Sequence, residues 1–183
     1  MKVNFIGIGA IGLPMARQIA QAGHEVTGLD VMPQALDNAR VLGIQAVSRV
    51  ADLPEADVTA LPAPISTYWV IMSTVGPASV RVQGEALRKI GARVVDAPVT
   101  GGVTRAKTGQ LKIFVAGAAE DVDAVRPVLD ALGEVRDTGP ALGDGQAMKV
   151  VNQHLCSVHF VAAAGHRPRA LYASQPVRPG QAR

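Results

Sequence analysis

The chain is poor in cysteine and in aromatic rings. Cys156 is its single cysteine, which excludes an internal disulfide framework and any zinc site built from several cysteines. It also suits a reducing cytoplasm. Aromatic residues make up 3% of the 183 positions, too few for the stacking surface that holds single-stranded nucleic acid. No run of roughly 18 apolar residues occurs, so no membrane-spanning helix is expected. The N-terminal stretch MKVNFIGIGAIGLPMARQIAQAG puts a lysine before apolar residues, as a secretory signal does. Its regularly placed glycines and Arg17 read otherwise.

A charge excess is missing from most of the chain too. The net charge is +3, from 18 Lys+Arg against 15 Asp+Glu. Arg167, Arg169, Arg178 and Arg183 lie in residues 166–183, which hold no acid. The body before them is close to neutral and gives no reason to expect a nucleic-acid partner.

What is present is a regular alternation of strand-like and helix-like segments. Strands are expected at 2–9, 25–30, 57–62, 68–74, 92–99, 111–117 and 134–139. Helices are expected at 11–22, 33–42, 77–90 and 119–132. Such alternation predicts an α/β fold, a doubly wound, mostly parallel sheet covered on both faces. One connection is short: residues 63–69, APISTYW, cannot hold the crossover of about a dozen residues that joins adjacent parallel strands. We read this as a missing crossover helix.

Residues 145–164 form a further helix with Met148, Val150, Val151, Leu155, Val158, Phe160 and Val161 distributed nearly all round it. A helix of that kind is built to be surrounded. The segment after it has prolines, arginines and no periodicity, a composition that predicts disorder. The expected organisation is therefore a domain over 1–142, a helix over 143–164 and a basic tail over 165–183.

Three stretches carry chemistry. In GIGAIG, Gly7, Gly9 and Gly12 follow a strand and open a helix, the context in which Gly7-Ile8-Gly9-Ala10-Ile11-Gly12 can cradle a dinucleotide diphosphate at the helix N-terminus. Asp30 ends the next strand 18 residues after Gly12, where an acid holds ribose hydroxyls and repels a 2′-phosphate, favouring NAD over NADP. A glycine-rich turn with no ligand is the alternative. In DAPVTGG, Thr100, Gly101 and Gly102 can offer N–H and O–H groups to a carboxylate, or can simply make a turn. In GDGQAMKVVNQ, Lys149 and Asn152 share one helix face. A partly buried lysine there can act as general acid or base, whereas an exposed one is only a solvated side chain.

Other candidates stay structural. Cys156 and His159 lie on the apolar helix as core or interface residues, and His24, His154 and His166 have no partners at metal-ligand spacing, so no metal site is expected. Trp69, in the short crossover, reads as packing.

VNFIGIGAIGLPMA, DAPVTGGVTRAKTGQLKIFVAG and GDGQAMKVVNQ, in that order over residues 1–164, resemble the three signature stretches of the β-hydroxyacid dehydrogenases. This family includes 3-hydroxyisobutyrate dehydrogenase, tartronate semialdehyde reductase and, more distantly, 6-phosphogluconate dehydrogenase. The resemblance implies a Rossmann-like domain and hydride transfer between a nicotinamide cofactor and a small β-hydroxy acid or semialdehyde. It implies Lys149 as the catalytic lysine with Asn152 as its partner, and substrate carboxylate binding by Thr100, Gly101 and Gly102. Thr74 and the Leu61–Pro62 dipeptide would lie beside the cofactor.

The departures are Ile11 for the usual methionine, Thr100 for the usual serine, and the short 63–69 segment where the family carries a helix. After Ala164 the family continues into an acidic helix and a second helical domain, here replaced by the Arg/Pro tail. Such a switch is what a reading-frame change would leave, and it would cost the pocket half its walls. A rival reading, a non-catalytic dinucleotide-binding remnant or interaction module, would use the apolar helix for self-association into a homo-oligomer.

Overall fold

The computed structural model describes the backbone of residues 1–59 and 67–173, and the side chains of 1–59 and 67–165. Leu61 and Pro62 lie outside the described residues. The chain divides into two compact units, Met1–Lys149 and Val150–Arg183, so Lys149 belongs with the sheet.

In the first unit the described residues form nine strands: β1 (Lys2–Ile6), β2 (Glu25–Leu29), β3 (Gln45–Val47), β4 (Val58–Thr59), β5 (Tyr68–Ile71), β6 (Arg93–Asp96), β7 (Val99–Thr100), β8 (Leu111–Ala116) and β9 (Gly133–Gly139). Their order is β3-β2-β1-β4-β5-β6-β8-β7, with β9 beside β8. The first six are mutually parallel and follow the strand order of doubly wound dinucleotide-binding sheets. β8 runs antiparallel to β6 and β7, and β9 parallel to β8. The expected mostly parallel, Rossmann-like sheet is thus present.

The helices are α1 (Gly12–Gln21), α2 (Pro33–Val41), α3 (Pro77–Lys89), α4 (Gly102–Lys107), α5 (Ala119–Asp130) and α6 (Asp144–Ala173). Periodicity explains which faces they bury. Met15, Ala16 and Ile19 of α1 fall on one stripe and are buried, and Pro33 opens α2 at a position where its missing N–H costs nothing. Val3, Asn4 and Phe5 of β1 are buried in succession, as a central strand covered on both faces requires. One large apolar cluster joins Val3, Phe5, Ile8, Met15, Ile19, Ile113, Val115 and Leu129. A smaller one gathers Trp69, Ile71, Val80, Leu87, Val94 and Leu142.

The short connection does not break the sheet. Tyr68 and Trp69, placed by periodicity near the end of the connection, belong to β5, and β5 pairs with β4 in parallel, Val58 opposite Tyr68 and Thr59 opposite Trp69. The return from Thr59 is therefore one residue back along the strand, about 3.3 Å, and one strand spacing across, about 4.8 Å. The two end points of the connection are therefore neighbours in the sheet. Trp69 is buried, in keeping with a packing role.

A polar row crosses the same strands. Thr27, Asn4 and Thr59 are register partners on β2, β1 and β4, and all are buried. Asn4 Nδ2 donates to the Pro54 carbonyl at 2.7 Å, while Asn4 Oδ1 and Thr59 Oγ1 find no partner among the described residues. Thr59→Val, which keeps the shape and removes the unsatisfied hydroxyl, is expected to raise stability by about 1 kcal/mol. A urea midpoint at or below the wild-type value would refute this.

The described backbone of the second unit, residues 150–173, is helical. α6 extends to Ala173, nine residues beyond the Ala164 boundary expected for the helix. Residues 174–183 lie outside the described residues. Val150, Val151, Leu155, Val158, Phe160 and Val161 are exposed on this unit. Among the described residues no helix is long and apolar enough to cross a membrane.

Candidate dinucleotide and proton-transfer site

Because β1, β2, β5 and β6 are parallel, the residues that follow them collect at one edge of the sheet, the edge where doubly wound folds hold ligands. Gly7 to Gly12 follow β1, Asp30 follows β2, Thr74 lies three residues past β5, and Asp96 ends β6.

The glycine turn is built for a close approach. Gly7 has φ +86°, and its N–H donates to the Leu29 carbonyl at 2.8 Å, tying the turn to the end of β2. A Cβ on Gly12 would lie 1.8 Å from the Gly7 carbonyl oxygen, so the helix can pack on the turn only without a side chain. A Cβ on Gly9 would meet nothing within 4 Å. Ala10 and Ile11 beside it are exposed, whereas Ile8 points into the core. The turn therefore leaves backbone facing open space at the N-terminus of a ten-residue helix, which fits a diphosphate. Asp30 accepts a hydrogen bond from the Met32 N–H at 3.0 Å on its Oδ1, which orients the carboxylate at the end of β2.

The second cluster was not expected from the sequence. Gln146 is completely buried, and its amide uses every bonding position. Oε1 accepts from the Val75 and Gly76 N–H groups, both at 3.0 Å. Nε2 donates to the Ser73 carbonyl at 3.0 Å and to Asp96 Oδ1 at 2.9 Å. Asp96 Oδ2 in turn accepts from the N–H groups of Gln146 and Gly143. A Cβ on Gly145 would lie 2.5 Å from the Phe114 carbonyl oxygen and 3.0 Å from Asp96 Oδ2, so glycine lets the start of α6 close on β6 and β8. This network joins the Thr74 loop, the end of β6 and the helix that carries Lys149. Lys149 itself is 7% exposed, which sets aside the solvated-lysine alternative.

Burial pushes the Asp96 carboxyl above the usual carboxylate range; the hydrogen bonds from Gln146 and Gly143 pull it back in part, and neighbouring Asp144 adds to the rise. The folded chain thus holds this proton more tightly than the unfolded chain. Its contribution to stability is greatest below the unfolded value of about 3.9 and is lost as pH rises through the folded value. The urea stability of the wild type relative to Asp96→Asn is expected to fall as pH is raised from 4 to 7. A difference independent of pH would count against it.

Thr100, Gly101 and Gly102 sit farther along. β7 continues the direction of β6, since Asp96 and Thr100 pair with Ala116 and Lys112 of β8, so Thr100 lies about 13 Å of extended chain past Asp96. Thr100 is half-buried and the glycines are exposed. They make the turn into α4: Gly101 has φ +133°, and a Cβ on it would meet Arg105 at 2.8 Å. Turn geometry alone accounts for that glycine. Asn152 is half-buried and lies in the second unit, as does the half-buried Cys156; His159 is exposed. Among the described residues no three His, Cys, Asp or Glu side chains cluster as a metal site.

A family profile, the NAD binding domain of 6-phosphogluconate dehydrogenase, matches residues 2–61 and 57–151. The chain belongs to this family. The two matched stretches meet at the short β4–β5 connection. Mitochondrial 3-hydroxyisobutyrate dehydrogenase of Homo sapiens is 32% identical, over 88% of this chain and 54% of its own length. The NAD-dependent L-serine dehydrogenase of Pseudomonas aeruginosa is 31% identical over 89% of this chain and 62% of its own. Among solved structures, 3-hydroxyisobutyrate dehydrogenase from Salmonella typhimurium superposes with a TM-score of 0.86 at 27% identity, over 96% of this chain and 69% of that one. The Mycobacterium tuberculosis enzyme of the same name, solved with L-serine, gives 0.84 at 29% identity, over 96% and 67%. The chain thus spans about half the length of the human relative.

Proposed function

We propose that this chain binds NAD in preference to NADP on the Gly7–Gly12 turn and Asp30, with Thr74 beside the cofactor. It transfers hydride between NAD and a small β-hydroxy acid of the 3-hydroxyisobutyrate or L-serine kind, in a reducing cytoplasm that suits its lone cysteine. The observation that carries this reading is a buried lysine three residues along α6 from Gln146, whose hydrogen bonds tie the start of that helix to the loop after β5 and the end of β6, at the strand edge that holds the glycine turn.

In oxidation, Lys149 Nζ takes the proton from the substrate hydroxyl while the carbon that bore it gives up hydride. Bound NAD supplies the hydride acceptor. Thr100, Gly101 and Gly102 hold the substrate carboxylate, and Asn152 orients the hydroxyl. These groups contribute alignment and a fixed charge environment for the alkoxide that develops.

A second reading is a dinucleotide-binding module without turnover, which associates with a second copy. The exposed apolar side chains from Val150 to Val161 favour it. Incubating the chain with NAD and a panel of small β-hydroxy acids separates the two. NADH formation supports the dehydrogenase; NADH binding without any turnover, from a chain that sediments as a dimer, supports the module; and no binding of NADH at all refutes both.

A further inference from the structure

We propose that Gln146 is a positioning residue that sets the register between the loop carrying Thr74 and the helix carrying Lys149. The inference rests on the roles proposed above for those two residues.

The geometry is selective for glutamine. Three of the four partners of the amide are backbone groups of one loop: the Ser73 carbonyl and the N–H groups of Val75 and Gly76. They flank Thr74, whose exposed side chain takes no part. The fourth partner is the Asp96 carboxylate, itself anchored to the first turn of α6 by two backbone N–H groups. With two donors and two acceptors engaged, the amide cannot flip without setting donor against donor. Asparagine is one methylene short. Leucine leaves the Val75 and Gly76 N–H groups without their acceptor. Glutamate keeps the acceptor toward Val75 and Gly76 but sets a second carboxylate oxygen against the Ser73 carbonyl and Asp96.

Lys149 follows Gln146 by three residues, about 4.5 Å along the helix axis. The loop that borders the cofactor and the ammonium that moves the proton therefore take their separation from one side chain. A misplacement of about 1 Å between reacting groups can cost a hundredfold in rate, which is the tolerance such a clamp would serve.

The test uses the whole chain and NADH as the probe. Gln146→Leu is expected to bind NADH at least tenfold more weakly than wild type in a fluorescence titration, and to speed hydrogen exchange at the Val75 and Gly76 amides. Val125→Ala, which opens the core under α5, serves as the comparison of similar stability loss and is expected to retain wild-type affinity. Gln146→Glu supplies a readout that bulk destabilisation does not mimic. The added carboxyl faces Asp96 from β6 and has Asp144 two residues before it on its own helix, while Arg81 of α3 reaches the turn before that helix, donating to the Leu142 carbonyl at 3.0 Å. Between those acids the new carboxyl keeps a proton at low pH, and the protonated form can donate to Asp96 as the amide does. The NADH affinity of Gln146→Glu is expected to recover toward wild type as pH falls from 8 to 5. Affinity in Gln146→Leu equal to that of Val125→Ala, or a pH-independent defect in Gln146→Glu, overturns this inference and leaves the proposed function standing. A wild-type chain that binds no NADH overturns both. If Gln146→Leu does not fold, the pH response of Gln146→Glu decides alone.

Discussion

Gly12→Ala is expected to lower the thermal midpoint by about 10 °C, while Gly9→Ala, three residues earlier, folds as wild type and loses the cofactor. The difference lies in what each new methyl meets. At position 12 it would lie 1.8 Å from the Gly7 carbonyl oxygen, 2.9 Å from the Gly7 carbonyl carbon and 3.1 Å from the Phe5 ring. Two of those atoms are backbone of the turn, so no rotamer change relieves the clash, and α1 must lift from β1. Overpacking of that kind costs about 3 kcal/mol, a large share of the stability of a domain this size. At position 9 the methyl meets nothing, and the residue is not among the glycines with positive φ. Alanine there even narrows the unfolded ensemble, worth about 0.5 kcal/mol of stability. The open space is where the diphosphate would lie, so NADH affinity is expected to fall at least tenfold. Unchanged NADH affinity in Gly9→Ala would remove the cofactor from this turn; an unchanged midpoint in Gly12→Ala would show that the turn yields.

The contrast between these two glycines was already legible in the spacing of GIGAIG, because the motif assigns one glycine to packing and another to ligand approach. The parallel core was legible for a similar reason: strands buried on both faces leave continuous apolar runs, and helices between them leave a period of 3.6. What escaped notice lacks any such period. β3 has three residues and β7 two, too few to alternate, whereas β4 falls inside the strand expected at 57–62. α4 starts on glycines with no capping side chain, so GVTRAK reads as loop. The rule for crossovers assumes long strands, whereas β4 and β5 pair over two residues each, so the end points of their connection lie close together. Gln146 escaped for a different reason. Lys149 and Asn152 were paired by their spacing of three, yet Gln146 stands at the same spacing on the other side of Lys149. Its chemistry depends on a loop some 70 positions away in sequence, which periodicity along one helix does not report. Asp96, present in the quoted DAPVTGG motif, needed the same long-range contact to acquire a role.

The largest effect on chemistry is expected from Lys149→Met. Methionine preserves most of the aliphatic length that the buried lysine packs with and removes the ammonium. If Lys149 moves the hydroxyl proton, kcat falls by about 10² to 10⁴, the range for a lost general base, while NADH affinity and thermal midpoint stay near wild type. A rise in KM with kcat unchanged would instead mark a substrate-binding contact, since losing uniform binding raises KM and leaves kcat alone. Lys149→Arg sharpens the distinction. A guanidinium keeps the positive charge but does not give up its proton at any working pH, so it can hold a carboxylate or alkoxide yet cannot serve as a base. Turnover is therefore expected to remain lost in Lys149→Arg. Restoration by arginine would show that position 149 supplies charge rather than proton transfer, and less than a tenfold loss in Lys149→Met would remove the residue from the reaction.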